Sequence, residues 1–356
     1  MTTSWEDSSG TMPVRVGFAL DLVALDGWMA SHVSGYAGPL TIEQFKGGQS
    51  NPTYKLNTPG RSYVLRRKPS GPILKGAHAV DREARVLSAL GGLGFPVARV
   101  YGLCMDDSVI GSWFFVMEMV EGRNFWSATF PGVPREERPL YFEAMNETIA
   151  RLHRIDIEKA GLADFGNPGN YFARQISRWS RQYLEDTDAG RDPHMDQLID
   201  WLPGAIPADR GEASIIHGDF RCDNMIFHPS EPRVMAVLDW ELATLGHPLA
   251  DFAYHATMFR MPPHIVAGLV GADLKALNIP SEEEYVAAYC RRTGRQCIPD
   301  YNFYIAFNLF RIAAMVHGIK GRTIRGTAAG GKAIQLITIL PELGQLAWQQ
   351  AILAGA

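Results

Sequence analysis

Cysteine is scarce. Four in 356 residues (Cys104, Cys222, Cys290 and Cys297) are too few for a disulfide framework, and the six residues separating the last pair fit no zinc pattern. All four are expected to be free thiols. Long apolar runs are missing as well: stretches such as Ile334–Leu340 fall well short of the roughly 18–20 residues that span a bilayer, so no membrane partner is expected. The segment from Met1 to Gly10 carries Glu6 and Asp7 and lacks the basic start, apolar centre and small-residue cleavage site of a secretory signal, which predicts a cytoplasmic protein. A surplus of positive charge is absent too. The net charge of −4 offers nucleic acid no basic domain, and no nucleic-acid partner is expected. What is present is ordinary globular material, 46% hydrophobic and 20% charged, enough for two or three domains with a sizeable core.

Periodicity divides the chain. Residues 1–17 show none and read as a flexible terminus. From Phe18 the spacing of Leu22, Leu25, Met29 and Val33 predicts a helix that stops at Ser34-Gly35. Strands are expected at Leu40–Phe45, Thr53–Asn57 and Arg61–Arg67, the last two joined at Pro59-Gly60, then a helix at Val80–Leu90. Two further strands, Ala98–Cys104 and Ser112–Val120, flank a polar turn at Asp106-Asp107-Ser108. Beyond Gly122 helical patterns dominate: Arg135–Ile155, Tyr171–Leu184, Ser281–Arg292, Tyr301–Lys320 and Lys332–Leu353. A β-rich insert, Ala213–Trp240, interrupts them with strands at Ser214–His217, Met225–Phe227 and Val234–Leu238. The expected fold class is α+β: a small antiparallel β region over 18–121 and a larger, mostly helical region over 122–356. A cleft is expected at their junction.

The chemistry concentrates in the insert. Ile215-Ile216-His217-Gly218-Asp219-Phe220-Arg221-Cys222-Asp223-Asn224 is followed by Leu238-Asp239-Trp240-Glu241, so two apolar strands each deliver an acid at their ends. Phosphoryl transfer asks for a carboxylate that orients a hydroxyl and for oxygen ligands that hold Mg²⁺ against phosphates. Asp219, Asn224 and Asp239 supply that set. Upstream, Gly47-Gly48-Gln49-Ser50-Asn51 lies between two strands, where glycine lets the backbone approach a phosphate; the same residues also suit a plain hairpin turn.

The pattern His217-Gly218-Asp219-x4-Asn224 with Leu238-Asp239-Trp240-Glu241 resembles the aminoglycoside phosphotransferase and choline kinase superfamily, small-molecule kinases on the protein-kinase fold. The resemblance implies a two-lobe fold with ATP and Mg²⁺ as cofactors. By it Asp219 is the catalytic base, Asn224 and Asp239 are metal ligands, and His217 braces a catalytic loop that also holds Arg221. It places Gly47, Gly48, Gln49, Ser50 and Asn51 over the nucleotide, Arg66 where such kinases carry a strand lysine, and Glu83 as its partner. Arg66 departs from the lysine pattern, and Arg67 and Lys68 stand beside it; Arg66 shares a face with Val64 and is favoured. Glu118, Met119 and Val120 resemble the hinge that binds adenine.

Within the superfamily the chain is most similar to the kinase domains associated with acyl-CoA dehydrogenases, which implies a hydroxyacyl-CoA as the small-molecule hydroxyl substrate. Residues 301–356 hold Arg311, Lys320, Arg322, Arg325 and Lys332 against Glu342 alone, a balance that suits the anionic phosphates of a CoA thioester, with Arg322 and Arg325 as contacts. An aminoglycoside or choline-like amino alcohol is the alternative acceptor. Three other readings compete. Asp219 and Asp239 could be simple turn caps. His217, Asp219, His228, Asp239 and His247 could form a two-metal hydrolase site. The chain could also bind nucleotide without turnover, against which stands the intact trio of Asp219, Asn224 and Asp239. Asp251 reads as structural, tying a Pro-initiated helix to the catalytic loop, and His153 as a packed or capping histidine.

Overall fold

The computed structural model describes residues 10–46, 51–69, 79–167, 169–208, 210–265, 267–326 and 337–356. They divide into two compact units, the first comprising Met1–Trp126, Ala160–Leu162 and Met225–Ala243, the second Ser127–Lys159, Ala163–Asn224 and Thr244–Ala356.

In the first unit, β1 (Thr11–Met12), β2 (Thr41–Phe45), β3 (Thr53–Asn57), β4 (Ser62–Arg67), β5 (Val100–Cys104) and β6 (Phe114–Glu118) form one antiparallel sheet in the order β1-β2-β3-β4-β6-β5. Alternation along β3 and β4 sends Tyr54, Leu56, Tyr63 and Leu65 to one face, where α1 (Leu22–His32) covers them with Leu25 and Met29. The other face takes α2 (Val80–Gly92), whose Val86, Leu87 and Leu90 are buried at helical spacing. The expectation that residues 1–17 stay unstructured fails at β1, where Thr11 pairs with Phe45 and Met12 with Gln44. Two residues are too short for any periodicity to announce. At Asp106-Asp107-Ser108 the turn is a single helical turn, α3 (Asp107–Ile110), capped by the Asp106 side chain and ended by Gly111 at φ 80°.

The division does not follow sequence order. The hairpin of β8 (Met225–Phe227) and β9 (Val234–Val237) belongs to the first unit, although it was expected in the helical region. Its link is a bridge between Arg123 and Phe227, with amide-to-carbonyl distances of 2.8 Å in both directions. Gly122 permits it, because a Cβ there would stand 2.1 Å from the Phe227 carbonyl oxygen.

The second unit carries α4 (Arg138–His153), α5 (Tyr171–Glu185), α6 (Pro193–Trp201), α7 (Pro248–Ala256), α8 (Leu274–Leu277), α9 (Glu282–Thr293), α10 (Tyr301–Ile324) and α11 (Leu340–Leu353). A run from Phe303 to Arg311 is buried on every side of α10, so that helix is the axis of the unit. The β-rich insert is not one sheet. Its first strand, β7 (Ser214–Ile216), pairs antiparallel with β10 (Thr244–Gly246), a strand that the sequence pattern did not announce. Among the described residues no helix is long and apolar enough to cross a membrane.

Candidate active site

Asp219 follows β7 in the second unit, and its loop is held from below by α7. Asp251, buried at 1% exposure, accepts the main-chain amides of His217 at 2.8 Å and Gly218 at 2.7 Å. Its other neighbour is His153 Nε2 at 3.2 Å, whose Nδ1 meets the Tyr289 hydroxyl at 2.8 Å. Burial alone would raise the Asp251 carboxyl, yet the His153 contact and the His217 amide hold it below the usual carboxylate range. Gly218 sits at φ 84°, a conformation that disfavours any side chain, so glycine lets the chain turn sharply into Asp219. The buried His217 ring accepts the Asp219 amide at 3.1 Å and closes the turn.

Three side chains fix the Asp219 carboxylate. Asn224 Nδ2 donates to Oδ2 at 2.9 Å and to the Asp219 carbonyl at 2.9 Å. The Tyr254 hydroxyl donates to Oδ1, and Arg221 Nε lies 3.4 Å from the same oxygen. Arg221 also reaches Asp223 at 2.9 Å. With its amide nitrogen spent on Asp219, Asn224 presents the carbonyl oxygen of its side chain as a hard donor, the type that Mg²⁺ takes.

Asp239 closes β9 in the first unit at φ 63°, a left-handed conformation that aspartate tolerates better than most residues. Arg66 Nη2 donates to its Oδ1 at 2.6 Å, approaches Glu241 at 3.5 Å, and its Nε meets Glu83 at 2.8 Å. One guanidinium thus faces three carboxylates. Burial would lower the Arg66 pKa, but Glu83, Asp239 and Glu241 together hold it above its ordinary value. Burial pushes Glu83 up to about 7 against the pull of Arg66. The surplus of negative charge sits at Asp239, whose side chain is 35% exposed, and it suits a hard cation. Of the adjacent cations, Arg67 is buried at the alternate position of β4 and Lys68 lies over the Trp113 ring at 5.4 Å.

Glu118 ends the ladder opposite Tyr63 and accepts the Arg99 amide at 3.3 Å; Met119 and Val120 follow, half-buried. Asn51 is buried, while Gly47, Gly48, Gln49 and Ser50 lie outside the described residues. The two-metal hydrolase reading fails. Among the described residues no group of three or more His, Cys, Asp or Glu could hold a metal ion. His217, His228 and His247 instead cap their own turns, accepting the amides of Asp219, Glu231 and Leu249.

The C-terminal charge balance also differs in space from its count along the chain. Arg311 is buried at 4% exposure and donates to the Gly218 carbonyl, so it braces the catalytic loop. Arg325 is matched by Asp186 at 2.6 Å and Asp188 at 2.9 Å, two acids that precede it by more than 130 residues. Arg322 is exposed, and Lys332 lies outside the described residues.

Sequence reasoning missed Tyr254, His255 and Arg311 as members of the site. The signal for two of them was there: Asp251, Tyr254 and His255 stand at i, i+3 and i+4 in an otherwise apolar helix, hence on one face. His255 Nδ1 meets the Phe220 carbonyl at 3.1 Å and Nε2 the Tyr285 hydroxyl at 2.7 Å. A carbonyl only accepts, so Nδ1 carries the proton and Nε2 accepts. Burial pushes this histidine down to about 4. The unfolded chain takes up a proton near pH 6.5 that the folded protein refuses until about pH 4. Stability is therefore fully present above about pH 6.5 and falls by about 3 kcal/mol as pH drops through that window. Urea unfolding of a His255→Gln variant should show a flatter curve between pH 6.5 and 4 than the parent; equal slopes would place the titrating group elsewhere.

The sequence profile of a phosphotransferase enzyme family matches residues 41–302. The chain is 48% identical to a protein of known structure from Ralstonia eutropha JMP134, named only provisionally as an aminoglycoside phosphotransferase, with a TM-score of 0.85 over 94% of this chain and 99% of that one. Choline kinase from Cryptosporidium parvum is 12% identical with a TM-score of 0.60, covering 94% and 98% of the two chains, and shares the kinase-like fold. Acyl-CoA dehydrogenase family member 10 of Mus musculus is 39% identical over 97% of this chain and 32% of its own length. Across the relatives of this group the chain spans 32% to 44% of their length.

Proposed function

We propose, from the premise that the chain belongs to the phosphotransferase enzyme family, that it transfers the γ-phosphoryl group of ATP to the hydroxyl of a hydroxyacyl-CoA. The observation that carries the reaction class is the Asp219 carboxylate, fixed by Asn224, Tyr254 and Arg221 in a loop whose His217, Gly218 and Asp219 amides are taken up by Asp251 and His217. Such a group can orient an alcohol and take its proton as the new O–P bond forms, while the remainder of catalysis is positioning. Arg66 supplies a cation for the phosphates, the backbone of Glu118, Met119 and Val120 holds adenine, and the segment from Gly47 to Asn51 covers the nucleotide. Asn224 in the second unit and Asp239 in the first would each offer an oxygen ligand to Mg²⁺, which when bound would neutralise charge on the phosphates.

The acceptor rests on the relatives named for acyl-CoA dehydrogenases, at 39–41% identity. Arg322 remains the candidate contact for a CoA phosphate, and Arg325 would have to share itself with Asp186 and Asp188. That pairing favours a second reading, an aminoglycoside or choline-like amino alcohol, because the C-terminal cations do not stand unopposed. ADP release with ATP, Mg²⁺ and a panel of hydroxyacyl-CoAs, free hydroxy acids, choline and kanamycin separates the two. The expected result is turnover on one hydroxyacyl-CoA at least tenfold above every other acceptor, the discrimination open to a site that pairs polar groups of its substrate. Preference for kanamycin or choline would overturn the acyl-CoA reading.

A further inference from the structure

We propose that Tyr254 is a positioning residue for the catalytic carboxylate, locking Asp219 Oδ1 so that Oδ2 receives the proton of the attacking hydroxyl. The inference rests on the kinase reading above. A carboxylate oxygen offers two lone pairs. On Oδ1 the Tyr254 hydroxyl donates to one, and Arg221 Nε stands 3.4 Å away. On Oδ2 a single donor is found among the described residues, Asn224 Nδ2 at 2.9 Å. Each oxygen thus accepts one hydrogen bond, and the positive charge of Arg221 beside Oδ1 leaves Oδ2 the more basic of the two and the one to receive the substrate proton.

Tyr254 is suited to hold its end. Its ring is buried at 4% exposure, and burial, then the charge of Asp219, raise its phenol well above the ordinary value, so it stays a donor. Arg311 stacks over the ring at 4.9 Å while donating to the Gly218 carbonyl, so one guanidinium grips both the tyrosine and the loop it steadies. In the transfer, the substrate O–H bond breaks and its proton passes to Oδ2. The oxygen forms a bond to the γ-phosphorus, and the bond from that phosphorus to the β,γ-bridging oxygen breaks with its electron pair leaving on ADP. Tyr254 keeps its own proton throughout.

Tyr254→Phe keeps the ring and the Arg311 contact and removes only the hydroxyl. Turnover of the acceptor that the parent phosphorylates, and slow hydrolysis of ATP with water as acceptor, should both fall about ten- to a hundredfold, with KM values within about twofold. In an Asp219→Asn background the same change should cost less than about twofold, because the carboxylate it positions is gone. A kcat within twofold of the parent, or equal losses in both backgrounds, would overturn the proposal. Should Tyr254→Phe not fold, 3-fluorotyrosine at 254 retains every heavy atom of the phenol and donates more strongly, drawing charge from Oδ1; kcat should fall, and an unchanged kcat overturns the proposal. A parent that hydrolyses ATP but phosphorylates no acyl-CoA overturns the acceptor reading alone, whereas a parent inert toward ATP overturns both.

Discussion

Asp219→Asn is expected to cut turnover by a hundredfold or more while ATP still binds. The substitution is close to isosteric, so Asn224, Tyr254 and Arg221 keep a neighbour of the same shape, and the loop stays anchored through Asp251 and His217. What is lost is the negative oxygen that orients the hydroxyl and takes its proton, a contribution of roughly 10²–10⁴ in rate for general bases. Nucleotide affinity, read by titration with ATP and Mg²⁺, should stay within a few-fold. Near-normal turnover on a verified acceptor would remove Asp219 from the role and return it to a turn cap.

Asp239→Ala should act through metal. The Mg²⁺-dependent gain in nucleotide affinity is expected to disappear, and turnover to drop by several kcal/mol of barrier, or about a thousandfold. The fold without nucleotide should tolerate the change, because Arg66 retains Glu83 at 2.8 Å and Glu241 at 3.5 Å. Removing Asp239 also takes one like charge away from Glu83, which lowers the cost of keeping that buried carboxylate ionised. A thermal midpoint within about 3 °C of the parent is expected for a change of no more than about 1 kcal/mol in a chain this size. Equal Mg²⁺ dependence in variant and parent would exclude Asp239 as a ligand, and collapse of the apo protein would make it structural.

Local patterning carried much of the fold. Leu25 and Met29 on α1, the alternation of Tyr54, Leu56, Tyr63 and Leu65, and Val86, Leu87 and Leu90 on α2 are periodic signals, and each face they define is buried. Elements without room for a period went unread: β1 has two residues and β10 three. Pairings distant in sequence were equally invisible: the three strands expected in the insert fall in two sheets, where β7 joins β10 and β8 joins β9. The site divides in the same way. His217, Asp219, Asn224, Asp239, Arg66 and Glu83 were named from the motifs and the resemblance they carry; the pairing of Arg66 with Glu83 was expected and is present, whereas the bonds from Asn224 to Asp219 and from Arg66 to Asp239 were not read from the sequence. Tyr254 and Arg311 reach the loop from helices 35 and 93 residues away from the atoms they contact. Counting Arg311 as surface charge erred because net charge along a segment carries no information on burial.

The most direct test of the central claim is mass spectrometry of the acyl-CoA recovered after incubation of the parent and of Asp219→Asn with ATP and Mg²⁺. The account predicts a hydroxyacyl-CoA that gains one phosphoryl group in step with ADP release in the parent, and no such gain on the same timescale in the variant. An acyl-CoA of unchanged mass beside a phosphorylated amino alcohol, or a phosphorylated product formed equally well by Asp219→Asn, would contradict it.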